Sequence, residues 1–451
     1  MIKIGFVGFG EINTPRELIE RKVSKAKAAL GEFGFSMVDG GIVSDDIPRQ
    51  EAVLALDKLK AEPFDVLVLC IAGWIPSYTV IRLADHFKHL PMVLWGLTGE
   101  MVNGCLVTTA DQAGTSALRR PMEELGFRFG YFYDTIDGGS AVPEIGSYIR
   151  CAAAEKSLMT AKIGMMGYRD MNLYGTMFDG VSLKEKTGIE IEFFDMLELS
   201  NRAAEINPAE QEALLAKIKS EWTFAAPAED STLRQGIAYY LALRDIAAEK
   251  GYSGFSLNDV DGMKKHLNFP PSMIFMLLAN ELGLCTTPEN DSLGSAMQLI
   301  AKALTGQIGM YLEFYEYMRD RVLMGVPDYV PLECVEGDYT VLPTKFGLLD
   351  SCILNISKLK TGTVTLARLY KTREGYGIHA ALAEAKPPRS WEEAGWTPPA
   401  PQLPSLEMVL GDRTSLFTHN IMSQHYIVTY GDHLELYRNY AELNGLTFLQ
   451  T

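Results

Sequence analysis

The hydrophobic and polar positions of the chain form short apolar runs separated by longer amphipathic segments. Unbroken apolar runs of six to eight residues flanked by polar segments are typical of buried strands. Strands that alternate with helices predict a parallel sheet with helices on both faces. In the first part of the chain the predicted strands are 2–9, 64–71 and 91–96, and the predicted helices are about 15–33, 48–61 and 77–88.

The same pattern begins again near Thr160. The run at 162–167 echoes the opening of the chain, IKIGFVGFG against AKIGMMGYR, although we do not treat the two as a sequence repeat. Strands alternate with helices here too, so we expect a second doubly wound α/β domain. The predicted strands are 162–167, 188–199 and 254–259, and the predicted helices are about 175–187, 201–220 and 231–250.

The pattern changes after Gly325. Thr and Val alternate between 358 and 386 with glycines at the turns, which predicts antiparallel strands. The Pro-rich segment 386–404 carries Trp391 and Trp396 and is predicted to be an ordered cover or interface segment, with a flexible linker as the alternative. The predicted fold class is α/β, with two doubly wound parallel-sheet domains followed by a β-rich C-terminal domain. The predicted domain bounds are 1–160, 161–325 and 326–451.

The stretch from Cys285 to Glu316 contains the residues that suggest chemistry. Its acidic start, Glu289-Asn290-Asp291, precedes an apolar helical run, and Glu313 then stands alone among apolar residues. A buried, ionised carboxylate is costly unless a cation or a hydrogen-bond donor meets it. Two carboxylates separated by one helix can converge on a divalent metal ion, and His425 is a candidate third ligand.

Three ordinary interpretations compete with a metal site. A buried Glu is more often paired with Lys or Arg than with a metal ion. Asp291 or Ser292 can cap the helix that follows, and His425 in an apolar strand can be a core histidine. Spacing alone leaves these interpretations open.

The stretch resembles the metal-binding core of the L-fucose/L-arabinose isomerase superfamily. Glu289 to Gly294 is similar to the family's Glu-x-Asp-x-x-Gly motif, Glu313 stands seven residues after Gly306, and His425 precedes an apolar strand and a Tyr-Gly. The helix is one residue shorter than in the fucose isomerases, and matching on Gly294 favours Glu289 as the ligand. The resemblance also covers Met297-Gln298, Leu304-Thr305-Gly306, 163–179 and 361–368.

The resemblance implies a metal-dependent aldose–ketose isomerase that works through an ene-diol. Glu289 and Glu313 would be both metal ligands and the proton-transfer pair, with His425 as third ligand. Mn²⁺ is the expected ion because one imidazole joins oxygen ligands, with Mg²⁺ or Co²⁺ as substitutes. The substrate is expected to be a pentose, a 6-deoxyhexose or a C6-modified hexose such as sulfoquinovose. A homo-oligomer, trimer or hexamer, is expected, with the loop around Arg16 reaching a neighbouring subunit.

Further candidates for substrate binding have ordinary alternatives. A helix cap is the favoured role for Asp291, and a solvated helix face is an equal alternative for the segment that holds His266. Two other functions remain open, a non-catalytic sugar-binding protein and a sugar C2 epimerase. The candidate substrate-binding residues are Arg16, Trp74, Asp291, His266 and His419.

Composition narrows the possible partners and compartment. The net charge of −16 and the pI near 5.0 argue against binding to nucleic acid or to an anionic membrane surface. No signal peptide or membrane-spanning run is evident, so a cytoplasmic protein is expected. No CxxC occurs, and the cysteines are predicted to be reduced thiols, mostly in the core. They are Cys70, Cys105, Cys151, Cys285, Cys334 and Cys352.

Overall fold

The computed structural model describes residues 2–326, 328–346, 349–388 and 404–451. The chain forms two compact units, Met1–Lys156 and Ser157–Thr451. Most of the Pro-rich segment, with Trp391 and Trp396, lies outside the described residues, and so its predicted role as a cover stays a prediction.

The first unit contains a five-stranded parallel sheet with connecting helices. Its strands are β1 Lys3–Phe9, β2 Ser36–Val43, β3 Val66–Ile71, β4 Met92–Gly96 and β7 Phe129–Tyr133, with a hairpin of β5 Glu100–Val102 and β6 Cys105–Val107. Its helices are α1 Arg16–Gly31, α2 Gln50–Lys60, α3 Ser77–Ala84 with a 3₁₀ turn Asp85–Phe87, α4 Asp111–Glu124 and α5 Val142–Leu158. The strand order is β2-β1-β3-β4-β7. Every residue of β3 and β4 is buried, as expected for strands covered on both faces.

The second unit begins with a four-stranded parallel sheet. Its strands are β8 Lys162–Met166, β9 Glu190–Phe194, β11 Gly254–Leu257 and β12 Cys285–Thr287, while β10 Thr223–Phe224 joins a smaller sheet. Its helices are α6 Gly180–Thr187, α7 Met196–Ala204, α8 Pro208–Glu221, α9 Asp230–Lys250, a π-helix Asp259–Leu267, α10 Ser272–Leu282 and α11 Ser292–Thr305, with a 3₁₀ turn Asp170–Asn172. The strand order is β12-β11-β8-β9. The chain leaves β8 toward β9 on one side and then crosses to β11 on the other.

Two predicted elements of this unit end earlier than expected because polar residues cap helices. The strand predicted at 188–199 covers only Glu190–Phe194, since the side chain of Asp195 accepts a backbone N–H and starts α7. The helix predicted at 201–220 is divided between α7 and α8. Asn207 caps α8 in the same way, and the proline after it occupies the first helical position.

A seven-stranded, mostly antiparallel sheet follows, with a small sheet beside it. The remaining strands are β13 Met310–Tyr317, β14 Arg321–Gly325, β15 Thr340–Phe346, β16 Leu349–Asn355, β17 Gly362–Lys371, β18 Tyr376–Lys386, β19 Ser405–Val409, β20 His425–Tyr430 and β21 Thr447–Gln450. The remaining helices are α12 Thr414–His419 and α13 Leu434–Leu443, with 3₁₀ turns Leu332–Cys334 and Gly411–Arg413. The order is β17-β20-β13-β14-β19-β18-β21, and pairing of β17 with β18 closes six strands into a ring.

These observations confirm the predicted fold class of two parallel-sheet α/β parts and a β-rich C-terminal part. The seven-stranded sheet takes β13 and β14 from before residue 326, so its strands come from both sides of the predicted boundary between the second and third domains. That placement matters for the candidate site, because β13 carries one of the two predicted carboxylate ligands.

Two expectations from composition concern the described residues. None of their helices is long and apolar enough to cross a bilayer. All six cysteines are free, and five are buried as predicted. Cys105 is exposed, because the β5–β6 hairpin that carries it pairs only with itself and stands outside the main sheet.

Candidate functional site

The candidate site lies at the carboxyl edge of the four-stranded sheet, where ligands of open α/β sheets commonly bind. The turn after β12 holds Glu289 and Asn290 in left-handed backbone conformation, with φ of 63° and 48°. Residues other than glycine adopt this conformation only when their surroundings hold them there. The Asn290 amide donates to the carbonyl of Met166 at the end of β8 over 2.8 Å. The Glu289 N–H donates to Asp259 Oδ1 over 2.7 Å.

Asp291 completes this turn as a structural residue. Its side chain accepts the N–H of Gly294 and caps α11. It also forms a buried ion pair with Arg368 of β17 and accepts the Tyr311 hydroxyl over 2.8 Å. Burial by itself would raise the pKa of Asp291, but Arg368 and these hydrogen bonds outweigh burial and lower that pKa. The structure thus shows the helix cap, and the substrate-binding role of Asp291 stays a prediction.

The three predicted metal ligands lie together. Glu313 of β13 is directly opposite His425 of β20 in the antiparallel pairing. The Nε2 of His425 lies 3.6 Å from Glu313 Oε2, and its Nδ1 lies 3.7 Å from Glu289 Oε2. The imidazole is 3% exposed and stacks on Tyr311, with ring centroids 4.2 Å apart and planes 19° apart. Strand pairing places His425 beside Glu313, and the turn after β12 brings Glu289 to the other ring nitrogen.

The surroundings of these groups disfavour their charged forms. Burial, reinforced by Asp259 and other nearby carboxylates, raises the pKa of Glu289 to about 9. Burial and Asp328 raise the pKa of Glu313 to about 7. Burial also lowers the pKa of His425 to about 3, so this imidazole is neutral at pH 7. No Lys or Arg among the described residues forms an ion pair with Glu289 or Glu313, in contrast to the usual partner of a buried glutamate.

A second acidic pair lies beside the first and was not singled out from the sequence. Asp259 and Asp328 are both buried, and Lys264 forms an ion pair with Asp259 at 3.2 Å. The hydroxyl of Tyr315, near Glu313 and Asp328, is buried and has no hydrogen-bond partner among the described residues. A buried phenol without a partner is uncommon. The sequence offered little signal for these residues, since their proximity depends on distant strands.

A divalent metal ion is one candidate ligand for Glu289, Glu313 and His425. Two carboxylates and one neutral imidazole are suitable donors for Mn²⁺, and a cation would offset the burial and the carboxylate repulsion that raise the glutamate pKa values. The present side-chain orientations do not form a ligand shell, because the carboxylates face opposite nitrogens of one imidazole. Among the described residues no group of three or more His, Cys, Asp or Glu is arranged to hold a metal ion. The donor chemistry fits the ion, and ligation would require rotation of the glutamate side chains.

Four predicted substrate-binding residues remain, and two of them, Arg16 and Trp74, belong to the first unit. Arg16 forms ion pairs with Glu20 and Glu51, and Trp74 is 40% exposed. In the second unit His266 is exposed at the end of the π-helix. His419 is exposed as well, with Nδ1 2.7 Å from the carbonyl of Ser415. Neither histidine contacts the glutamates or His425.

Comparison with known proteins gives no family. No family model matches the chain, and no curated protein matches it. Matching solved structures include a periplasmic solute-binding protein of an ABC transporter from Actinobacillus succinogenes 130z with bound D-allose. It is 13% identical, the match covers 68% of this chain and 92% of that chain, and the TM-score is 0.19. A UDP-GlcNAc 2-epimerase from Methanocaldococcus jannaschii is 10% identical over 68% of this chain and 94% of that chain, with a TM-score of 0.20. Likenesses this low carry no functional argument.

Proposed function

We propose that this chain is a divalent-metal-dependent aldose–ketose isomerase that acts on a monosaccharide, with a site similar to that of the L-fucose/L-arabinose isomerase superfamily. The observation that supports the proposal best is the meeting of Glu289, Glu313 and His425 without a cationic partner among the described residues. The motif resemblance supplies the reaction class, and the geometry is compatible with it.

Each residue has a role in the proposed reaction. Glu289, Glu313 and His425 would hold the ion, Mn²⁺ in preference to Mg²⁺ or Co²⁺. When bound, the ion would withdraw electron density from the oxygens on C1 and C2 of the sugar. Glu313 would take the proton from C2 and return it to C1. Glu289 would handle the hydroxyl protons, and Gln424 Nε2 donates to its Oε2 over 3.2 Å.

An aldose panel in D₂O tests the proposal. Purified protein with Mn²⁺ would be incubated with pentoses, 6-deoxyhexoses and C6-modified hexoses including sulfoquinovose, after its metal content has been measured. An isomerase yields ketose with solvent deuterium incorporated, whereas a C2 epimerase returns an epimeric aldose and a sugar-binding protein returns its sugar unchanged. If no aldose gives ketose with metal-loaded protein, the proposal is wrong.

The proposed assembly and compartment follow from the resemblance alone. We propose a cytoplasmic homo-oligomer, trimer or hexamer, in which the loop around Arg16 serves a neighbouring subunit. Sedimentation equilibrium of the full chain measures the assembly state. A monomer that carries full isomerase activity would contradict this part of the proposal while leaving the reaction intact.

A further inference from the structure

A groove of about 140 Å³ lies in the first unit between α2 and α3. Its lining includes apolar side chains such as Leu56 and Leu83 and polar side chains from α3 and the loop before α2. Glu289, Glu313 and His425 belong to the other unit, and none of them lines this groove. Nothing in the proposed isomerase reaction uses the groove, so the groove requires its own explanation.

Two arginines line the groove without acidic partners. The guanidinium groups of Arg49 and Arg82 form no ion pair or hydrogen bond with any other residue that the structure describes, whereas Arg16 nearby is paired with two glutamates. Arg49 has a left-handed backbone with φ of 55°, and its guanidinium lies 5.2 Å from the centre of the Tyr78 ring. In a chain of net charge −16, two adjacent arginines without partners are suited to an anion.

A buried hydroxyl points to a ligand independently of the arginines. Thr79 is only 8% exposed, lines the groove, and its Oγ1 has no hydrogen-bond partner among the described residues. Buried hydroxyls almost always have a partner. Thr79 lies in the first turn of α3, where the helix dipole also favours negative charge. A ligand oxygen in the groove would supply the missing partner.

The remaining polar groups are compatible with an anion. Nδ1 of His86 lies 3.5 Å from the Nζ of Lys60, and in the tautomer whose Nδ1 accepts from this lysine, Nε2 is a further donor. The one acid that lines the groove is Asp45, and its Oδ1 already accepts the N–H of Ile12 over 2.8 Å. Two cations therefore face one carboxylate that is already hydrogen-bonded.

We propose that this groove binds a small organic oxyanion, a carboxylate or a phosphate monoester with a short aliphatic body. The oxyanion lies between Arg49, Arg82 and the hydroxyl of Thr79, and the aliphatic body packs on Leu56 and Leu83. The volume admits only a small molecule. This site is separate from the proposed isomerase activity and does not depend on it.

Calorimetric titration of the full chain at low salt tests the site with four probes. Isovalerate and isobutyl phosphate carry both an oxyanion and an aliphatic body, isobutanol lacks the anion, and inorganic phosphate lacks the body. We expect at least one of the first two to bind with a Kd below about 1 mM, and isobutanol not to bind. The better of the two identifies the oxyanion.

Three variants locate the binding. Arg82→Gln and Thr79→Val are each expected to weaken binding at least tenfold. Thr79→Val should do so without lowering Tm, because it removes a hydroxyl that is unsatisfied in the free protein. Arg119→Gln is the control for the loss of one positive charge, since Arg119 does not line the groove.

Either of two results would overturn the site. One is the absence of saturable binding of both organic anions below about 10 mM. The other is unchanged affinity in folded Thr79→Val and Arg82→Gln proteins, which would place the binding elsewhere. Inorganic phosphate binding as tightly as isobutyl phosphate would contradict the aliphatic part of the proposal. Thr79→Val is nearly isosteric, so the test stands if the arginine variant fails to fold.

Discussion

At the scale of single residues, one buried aspartate and two half-buried glutamates in the same small region have different protonation behaviour. Glu289 and Glu313 have raised pKa values, whereas the pKa of Asp291 is lowered. All three lose hydration, so burial does not distinguish them. The distinction is Arg368, which pairs with the aspartate and with neither glutamate. One acid is therefore structural, and the other two are left without compensating charge.

Replacing Glu313 by Gln separates catalysis from folding. We expect turnover to fall by about 10²- to 10⁴-fold, because the amide cannot accept the C2 proton, with no change in the circular dichroism spectrum. Glu316→Gln is the control, since that residue lies on the same strand but is exposed. A Glu313→Gln protein that works at the wild-type rate would remove this residue from the mechanism.

The raised pKa values of the two glutamates predict the pH dependence of stability without metal. A carboxyl whose pKa rises from 4.5 to about 7 or about 9 on folding binds its proton more tightly in the folded state. The free energy of unfolding should therefore decrease as pH rises from 4.5, the ordinary pKa of a glutamate carboxyl, through these two raised pKa values.

Urea unfolding in the presence of EDTA measures this slope. In Glu289→Gln, the decrease in the free energy of unfolding over the same pH range should be smaller than in the wild type. The difference should exceed about 1.4 kcal/mol, the equivalent of one pKa unit. Added Mn²⁺ should stabilise the wild type at high pH, where the carboxylates are ionised. Stability that rises with pH in EDTA, or a variant that matches the wild type, would contradict the assignment.

Asp291→Ala tests the structural acid. Its removal leaves Arg368 buried without a partner and α11 without its cap, so we expect a loss of about 3–5 kcal/mol in urea unfolding. Asp261→Ala is the comparison, because that carboxylate pairs with Lys265 at the surface, where such pairs contribute about 1 kcal/mol or less. Equal losses of stability in the two variants would show that the buried ion pair contributes no more to stability than the surface pair.

At the scale of elements, the turn from β12 into α11 depends on a close approach that only glycine permits. A Cβ on Gly294 would lie 2.5 Å from Asp291 Oδ2, 2.8 Å from Tyr311 Cε2 and 2.9 Å from Arg368 Nη1. All three atoms belong to the buried, hydrogen-bonded group of Asp291, Tyr311 and Arg368, and protein interiors are close-packed. The glycine of the acidic motif is thus explained by packing.

Gly294→Ala is expected to destabilise the protein by about 1–3 kcal/mol in chemical unfolding. Gly180→Ala is the matched control in the first turn of α6, where the new methyl would meet its nearest neighbour at an ordinary 3.6 Å. Alanine should be neutral or slightly stabilising there. A Gly294→Ala protein as stable as the Gly180→Ala protein would show that the network can rearrange.

Local signals in the sequence were enough for most elements but not for the neighbours of the site. Apolar runs predicted the parallel strands because such strands are buried on both faces. The pattern of apolar residues does not indicate the helix caps at Asp195 and Asn207. The strand predicted at 188–199 and the helix predicted at 201–220 therefore have different bounds in the structure. The contacts of Arg368 and Asp328 leave no local signal in the sequence, because their partners Asp291 and Ser272 lie 77 and 56 residues away along the chain.

At the scale of the whole molecule, the candidate ligands and their supporting residues all belong to the second unit, Ser157–Thr451. We expect residues 157–451 expressed alone to fold and to bind Mn²⁺ with an affinity within about threefold of the full chain, as measured by calorimetry. The same fragment carrying His425→Ala is the control for nonspecific binding. A folded fragment that does not bind Mn²⁺, beside a full chain that does, would show that the ion needs the first unit.

The chain-level organisation was partly predictable. Alternating strands and helices predicted two parallel α/β parts, and the turn glycines after Gly325 predicted a β-rich end. The closure of six strands into a ring was beyond sequence reasoning, since it depends on β17 pairing with both β20 and β18. Pairing partners far apart in sequence leave no periodic signal.

The direct opposition of Glu313 and His425 across two strands has one further consequence. Sliding β20 past β13 by a single residue would turn the imidazole to the opposite face of the sheet and separate it from both glutamates. Binding of the metal ion during refolding would therefore report the correct register of these two strands. Chains in which the strands are misaligned would not bind the ion at this site.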